Sequence, residues 1–129
     1  MTNEVTAIGF KVGEASIGGT CLQGYINTDY ATLRACFGPT TDQHDDYKSD
    51  ASWTITFADG VVATVYNWKD GHAYCGWEGL DVEDITEWHI GGHNGTDAEG
   101  RVKEVLNAYL EKVCYNPLAD DIKKLCANL

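Results

Sequence analysis

An alternating stretch with a tight-turn signal at its centre constrains the fold more than any other feature of the chain. Residues 51–57 have the sequence ASWTITF, in which apolar and hydroxyl side chains take turns. A period of two is typical of a strand with one buried face. Asp59-Gly60 favours a tight hairpin turn, and residues 61–68 resume the alternation. The sequence therefore predicts a β-hairpin over residues 51–68.

Three further segments are expected to be strands. Residues 5–12 and 21–26 alternate loosely, and residues 86–90 are expected to follow the hairpin as the third strand of a meander. Residues 72–84 show neither helical nor strand periodicity and are expected to be irregular. The glycines of residues 91–95 predict a flexible loop.

A short helix is predicted over residues 29–37, where apolar side chains recur at helical spacing. Thr28 or Asn27 is its expected N-cap, because a side-chain oxygen there can accept a free amide of the first turn. Gly38 is expected to end the helix, since glycine adopts the left-handed conformation of a helix C-terminus at no steric cost. The proline that follows it cannot continue the helix.

Two more helices are predicted at the C-terminal end, over residues 97–115 and 117–127. Thr96-x-x-Glu99 matches the capping box and marks the start of the first. Together the elements predict an α+β fold, with a mainly antiparallel sheet and helices on one of its faces. The length of 129 residues fits a single domain spanning residues 1–129.

The charge of the chain excludes one class of function. Nine basic against twenty acidic residues give a formal net charge of −11. Residues 40–90 carry eleven acidic and two basic side chains, which account for −9 of that total. Proteins that bind nucleic acid directly display basic patches, so we expect no direct nucleic-acid binding.

Cysteine usage and hydropathy indicate a reducing compartment. The five cysteines form no CxxC pair, and their odd number is unlike a secreted disulfide framework. No apolar run approaches the roughly 20 residues of a membrane span, and the N-terminus lacks the pattern of a signal peptide. We expect a cytoplasmic protein that meets no membrane and uses no cofactor.

One cluster near residue 88 offers acid–base chemistry. Asp84, Glu87 and His89 would supply two carboxylates and an imidazole to a small enzyme. His89 and His93, with Cys75, are also residue types that bind zinc, but a pair four residues apart binds zinc well only on a helix. Carboxylate-rich loops are far commoner than active sites, so we assign no catalytic and no metal-binding residue.

A second hypothesis places a nucleotide signal at the glycine-rich segment before the long helix. Amides at a helix N-terminus attract anions, glycines let a phosphate approach the backbone, and an aromatic ring can stack on a base. The candidate ligand-binding residues are Gly91, Gly92, Gly95, Thr96 and Trp88. The negative charge of the chain counts against this hypothesis, and no established phosphate-loop motif is present.

A protein-binding surface is the hypothesis we favour. Five aromatic residues fall within residues 66–88, beside the dense acidic field. Tyrosine and tryptophan are enriched at binding hot spots, and charge steers a partner of opposite sign. The expected partner-binding residues are Asp42, Asp45, Asp46, Asp50, Tyr74, Trp77, Asp81, Glu83, Asp84 and Glu87. Both faces of the strand over residues 61–68 are apolar, which would also allow a homodimer.

Several segments within residues 20–92 form a familiar pattern. They are LQGY (22–25), CFGP (36–39), DASWTITF (50–57), DG (59–60), ATVYNWKDG (63–71) and VEDITEWHIGG (82–92). Together they resemble a group of small tailed-phage proteins of uncharacterised function. The resemblance implies a phage gene expressed in the bacterial host cytosol, where small acidic phage proteins often serve host takeover or evasion of defence. We therefore expect a non-catalytic inhibitor of the anti-CRISPR or anti-restriction type, whose acidic surface binds a basic bacterial host protein.

Overall fold

A computed structural model describes residues 8–41 and 48–114 of the chain. Within this range the strands are β1 (Phe10–Val12), β2 (Thr20–Asn27), β3 (Ser52–Phe57), β4 (Val62–Tyr66) and β5 (Glu87–His93). The helices are α1 (Tyr30–Phe37), α2 (His72–Cys75) and α3 (Ala98–Cys114). The sheet order is β1-β3-β4-β5-β2, and every neighbouring pair is antiparallel. The predicted α+β class with a mainly antiparallel sheet is confirmed.

The central hairpin is the one that the sequence predicts. β3 and β4 pair with Trp53 opposite Val65, and Gly60 in the connecting turn has a φ of 89°, which glycine adopts readily. β5 follows as the third strand of the meander and places Ile90 beside Val65. Trp53, Val65 and Ile90 therefore lie on the same face of the sheet.

Both α1 and α3 pack against that face, and the core lies between helices and sheet. Trp53 and Trp88 meet there with ring centroids 5.6 Å apart. Their buried indole N–H groups donate to backbone carbonyls of Gly38 and Thr28, at 2.8 and 3.1 Å, so neither carries the cost of an unpaired polar group. The core cluster consists of Leu33, Phe37, Ala51, Trp53, Ile55, Phe57, Ala63, Val65, Ile85, Trp88, Ile90, Ala98, Val102 and Val105.

The N-cap of α1 is Asp29, so the predicted cap at Thr28 or Asn27 is wrong. The Oδ1 atom of Asp29 accepts the amide of Thr32 at 2.7 Å. Hydrogen bonding from the side chain of Thr32, and after it from this amide, lowers the pKa of Asp29. Three candidate caps stand side by side in the sequence, and the pattern alone does not show which one adopts the extended backbone of a cap. The predicted end is confirmed, since Gly38 has a φ of 81°.

The glycine-rich segment before α3 is strand rather than flexible loop. Gly91 and Gly92 are buried within β5, so the strand predicted over residues 86–90 continues to residue 93. A Cβ atom on Gly91 would lie 2.6 Å from Oγ1 of Thr64, and one on Gly92 would overlap the Cβ atom of Ala98. Close approach of neighbours, which leaves no trace in hydrophobic periodicity, requires glycine at both positions.

The capping box predicted for α3 is also wrong. The hydroxyl of Thr96 donates to a backbone carbonyl of the preceding turn at 2.7 Å. Asp97 caps the helix instead, because its Oδ1 atom accepts the amide of Gly100 at 3.0 Å. The amide of Glu99 donates to Oε1 of Gln23 in β2 at 3.1 Å, so a side chain from the sheet completes the cap.

Residues 72–84, predicted to be irregular, contain short helical turns. α2 is followed by 3-10 turns over Gly76–Glu78 and Val82–Asp84. The helix predicted over residues 117–127, the start of the strand predicted over residues 5–12 and the acids Asp42, Asp45 and Asp46 lie outside the described residues. Of the helices in the part of the chain that the structure describes, none is both long and apolar enough to cross a membrane.

Candidate functional site

The connection between β4 and β5 contains a closed loop over residues 70–81, which we call the Trp77 loop. The amide of Leu80 donates to the carbonyl oxygen of Asp70 at 2.9 Å, and Gly71 and Leu80 form an isolated parallel bridge. These contacts bring the two ends of the loop together. α2 and the following 3-10 turn, which contains Trp77, make up the part between them.

The side chain of His72 closes the loop a second time. Its Nε2 atom lies 2.6 Å from Oδ1 of Asp81, and its Nδ1 atom lies 2.7 Å from the carbonyl oxygen of Gly76. Both partners are acceptors, so only the protonated imidazolium can donate to both at once. The Asp81 carboxylate and, after it, the Gly76 carbonyl accordingly raise the pKa of His72.

Asp50 and Asn67 hold the base of the loop from the protein interior. Asn67 is fully buried, and its Oδ1 atom accepts the amides of Asp50 and Ala51 at 2.7 and 3.0 Å. Its Nδ2 atom donates to the carboxylates of Asp50 and Asp70 at 2.9 and 3.0 Å. The second oxygen of Asp50 accepts the amide of Ala73 in α2 at 3.1 Å. The loop is thereby attached to the central hairpin.

Glycines allow the loop to close this tightly. Gly76 has a φ of 66°, in the left-handed region that favours glycine. A Cβ atom on Gly79 would overlap the backbone of Gly71, and one on Gly71 would overlap the carboxylate of Asp50. The backbone path of the loop is therefore set by several independent contacts.

The Trp77 loop presents three large apolar side chains to solvent. Trp77 is 89% exposed, Leu80 is 48% exposed and Tyr74 is 42% exposed. The ammonium of Lys69 lies 5.3 Å from the ring centroid of Tyr74, within the range of a cation–π contact. Tryptophan is on average a highly buried residue. A nearly fully exposed indole on a loop that several hydrogen bonds close is therefore an unusual feature.

Exposed carboxylates accompany this apolar patch. Residues 70–87 carry six acidic side chains and no lysine or arginine. Of the residues that we expected at a partner surface, six are exposed in this segment: Tyr74, Trp77, Asp81, Glu83, Asp84 and Glu87. Asp50 lies instead at the base of the loop, where its side chain is occupied by hydrogen bonds.

The residues of the nucleotide hypothesis do not form a phosphate-binding loop. Gly91 and Gly92 are buried in β5, and Trp88 is fully buried in the core, where no base could stack on it. Gly95 and Thr96 lie in the turn before α3. The first-turn amides of residues 99 and 100 that an anion would bind already donate to side chains of the protein.

His89 lies on the sheet face opposite the helices, between two tyrosines. Its ring centroid is 4.8 Å from that of Tyr25 and 5.4 Å from that of Tyr66. Partial burial lowers the pKa of His89, against the opposing effect of the charges on Glu87 and Asp70. At neutral pH the ring is therefore neutral and behaves as one member of an aromatic row.

The candidate metal and acid–base residues are spread along the chain. His93 follows His89 by four residues in β5, which at strand spacing is roughly 13 Å and too far for one shared ion. Asp84 lies in the 3-10 turn that precedes the strand. Within residues 8–41 and 48–114, no group of three or more histidine, cysteine or carboxylate side chains is placed to hold a metal ion.

No protein-family model matches the chain, and no curated protein is detectably similar to it. The geometry of the Trp77 loop is therefore the main indication of function. Sequence reasoning missed three of the residues that shape this loop: Leu80, His72 and Asn67. Each acts through specific hydrogen bonds that hydrophobic periodicity does not reveal, and the only signal in their neighbourhood was the Asp70-Gly71 turn dipeptide.

Proposed function

We propose that this protein is a non-catalytic binding protein that docks on a partner protein through the Trp77 loop. The observation that carries the proposal is the 89% exposure of Trp77 on a loop whose backbone is held by several contacts. A tryptophan side chain offers on the order of 200 Å² of surface. Its burial in an apolar pocket contributes about 5 kcal/mol, at ~25 cal/mol per Å². Because the loop is already ordered, little conformational entropy is lost on binding.

The charge of the Trp77 loop and of the 3-10 turn that follows it defines the chemistry of the partner. Exposed carboxylates at Glu78, Glu83 and Asp84 favour a pocket rimmed by lysine and arginine. Such charges speed the encounter and select the partner, whereas the indole and Leu80 supply most of the affinity. Exposed charges are screened by salt, so the association rate falls as ionic strength rises.

The resemblance to small phage proteins narrows the partner further. We propose a bacterial defence or nucleic-acid-binding protein, whose basic channel the acidic loop occupies in the host cytosol. Lysines and arginines that hold a phosphate backbone can be engaged equally well by carboxylates. Inhibition then arises by competition, and an excess of nucleic acid relieves it.

The test is capture of partners from bacterial lysate with four forms of the tagged protein. They are the wild type, Trp77→Ala, the acidic-patch variant Glu78→Gln/Glu83→Gln/Asp84→Asn and the matched control Glu14→Gln/Glu104→Gln/Glu111→Gln. The two triple variants have the same net charge, and the control changes acids outside residues 70–87. We expect a nucleic-acid-binding protein to be retained by wild type and control, lost from the other two, and released by added nucleic acid. Equal capture by all four forms would contradict the proposal.

A further inference from the structure

The two edges of the sheet are protected to different degrees. β1, the edge strand beside β3, is three residues long and carries Lys11. β2, at the opposite edge, has eight residues and contains neither a charged residue nor a proline. Natural sheets protect exposed edges with short strands, lysine or proline, because the unpaired amides and carbonyls of an edge can pair with another chain. Within residues 8–41 and 48–114, β1 has such protection, whereas β2 has only a bulge.

β2 also exposes apolar side chains. Leu22 is 47% exposed and Tyr25 is 50% exposed. The register to β5 shifts between Leu22 and Gly24, and this irregularity places Leu22 and Tyr25 on the same face although they are three residues apart. Cys21 and Ile26 lie on the other face. The strand thus offers an uncharged edge, with an apolar side chain on each side of the bulge.

We propose that β2 pairs antiparallel with β2 of a second copy of the chain, which joins two five-stranded sheets into one of ten strands. Charge favours a second copy as the occupant. Two molecules of net charge −11 repel each other over most of their surface, but β2 itself carries no charged side chain. The carboxylate of Glu99, which lies against Gly24, is paired with the ammonium of Lys103 at 3.3 Å. An antiparallel strand edge is also self-complementary, as a twofold interface requires.

The faces of β2 determine the register of this pairing. A twofold axis between Gln23 and Gly24 places Leu22 opposite the partner's Tyr25, and Cys21 opposite the partner's Ile26. Each of these pairs then lies on one face of the joined sheet. An axis through Gln23 or through Gly24 would instead set side chains of opposite faces against each other, because of the bulge.

The size of the contact sets the expected strength. One eight-residue edge buries less surface than the ~1,200 Å² at the lower limit of standard stable interfaces. The dimer is therefore weak and forms with rising protein concentration. This inference does not depend on the proposed function of the Trp77 loop.

The test is the molar mass of the full chain by analytical ultracentrifugation, from micromolar to millimolar concentration. Leu22→Lys places a charge on the proposed edge, and Leu110→Lys is the matched control at a leucine of α3 with 40% exposure. We expect wild type and Leu110→Lys to dimerise and Leu22→Lys to remain monomeric with an unchanged circular dichroism spectrum. A monomeric wild type, or a Leu22→Lys variant that dimerises like the wild type, would overturn the inference.

Hydrogen exchange of the wild type covers the case in which Leu22→Lys fails to fold. Amides of residues 20–27 should gain protection as concentration rises through the dimerisation range, while those of residues 10–12 in β1 should not. A doubling of mass with no added protection in β2 would show that the copies meet elsewhere.

Discussion

The Nε2 atom of His72 lies 2.6 Å from Oδ1 of Asp81, and this contact joins the first turn of α2 to the far end of the Trp77 loop. The second ring nitrogen meets the carbonyl oxygen of Gly76. The imidazolium therefore connects three points of a twelve-residue loop. Since only the protonated ring donates to both partners, closure of the loop is coupled to pH.

We expect the loop to be most firmly closed below the ordinary histidine pKa of 6.5, and to loosen as pH rises through the raised pKa of folded His72. The sign follows from linkage, because the folded state binds this proton more tightly than the unfolded chain. NMR titration should show a pKa above 6.5 that falls in Asp81→Asn and is retained in the control Glu83→Gln. A pKa that is insensitive to Asp81→Asn would contradict the ion pair.

Asn67 should be one of the most sensitive positions of the fold. Its truncation in Asn67→Ala leaves the amides of Asp50 and Ala51 without their acceptor, and each unpaired buried group costs about 1–3 kcal/mol. We expect the free energy of unfolding to fall by about 3 kcal/mol in urea titration. Asn107→Ala, at an exposed position of α3, is the control and should change stability by less than about 0.5 kcal/mol.

The substitution Asn67→Asp keeps the size and shape of the side chain but changes its hydrogen bonding and its charge. The new carboxylate would replace a donor that now serves Asp50 and Asp70. Like charges and burial raise the pKa of such a group in the folded state, so stability is lost as pH rises above roughly 4 and is regained below it. Thermal unfolding across pH 3 to 7, measured beside the wild type, should show this recovery in acid. A loss of stability that is the same at every pH would contradict the placement of residue 67 beside the carboxylates of Asp50 and Asp70.

Gly92 should tolerate no side chain, because a Cβ atom there would overlap that of Ala98. Overpacking of a close contact costs about 1–3 kcal/mol, so Gly92→Ala should lower the melting temperature by several degrees. The matched control is Gly13→Ala, where an added Cβ meets nothing within 4 Å and the backbone is not left-handed. Equal melting temperatures for Gly92→Ala and Gly13→Ala would contradict the close contact between Gly92 of β5 and Ala98 of α3.

The sequence predicts the elements of this fold that have a regular hydrophobic period. The hairpin over residues 51–68 follows from a period of two and a turn dipeptide, and α1 from apolar side chains at helical spacing. Gly91 and Gly92 could not be placed in β5 in this way, since their role depends on how closely Thr64 and Ala98 approach them. Gln23, which completes the cap of α3, is separated from that helix by more than seventy residues.

The candidate site was predictable only in part, for a related reason. Trp77 and Tyr74 could be proposed from the sequence as binding residues, because aromatic residues next to a dense acidic field are typical of binding surfaces. Their exposure depends on how the loop closes, and closure depends on His72, Asn67 and Asp50. The hydrogen bonds of these three residues span from three to 23 positions of the sequence. No local pattern encodes such pairings.

The most direct test of the binding function is the affinity of the captured partner, measured by isothermal titration calorimetry for wild type, Trp77→Ala and Leu110→Ala. Trp77→Ala should weaken binding by at least about 2 kcal/mol, roughly 30-fold, as expected of a hot-spot tryptophan. Leu110→Ala removes a half-exposed apolar side chain from α3 and should leave affinity within about twofold, because surface contacts outside a hot spot contribute little. A Trp77→Ala variant that binds as tightly as the wild type would contradict the central role of the Trp77 loop.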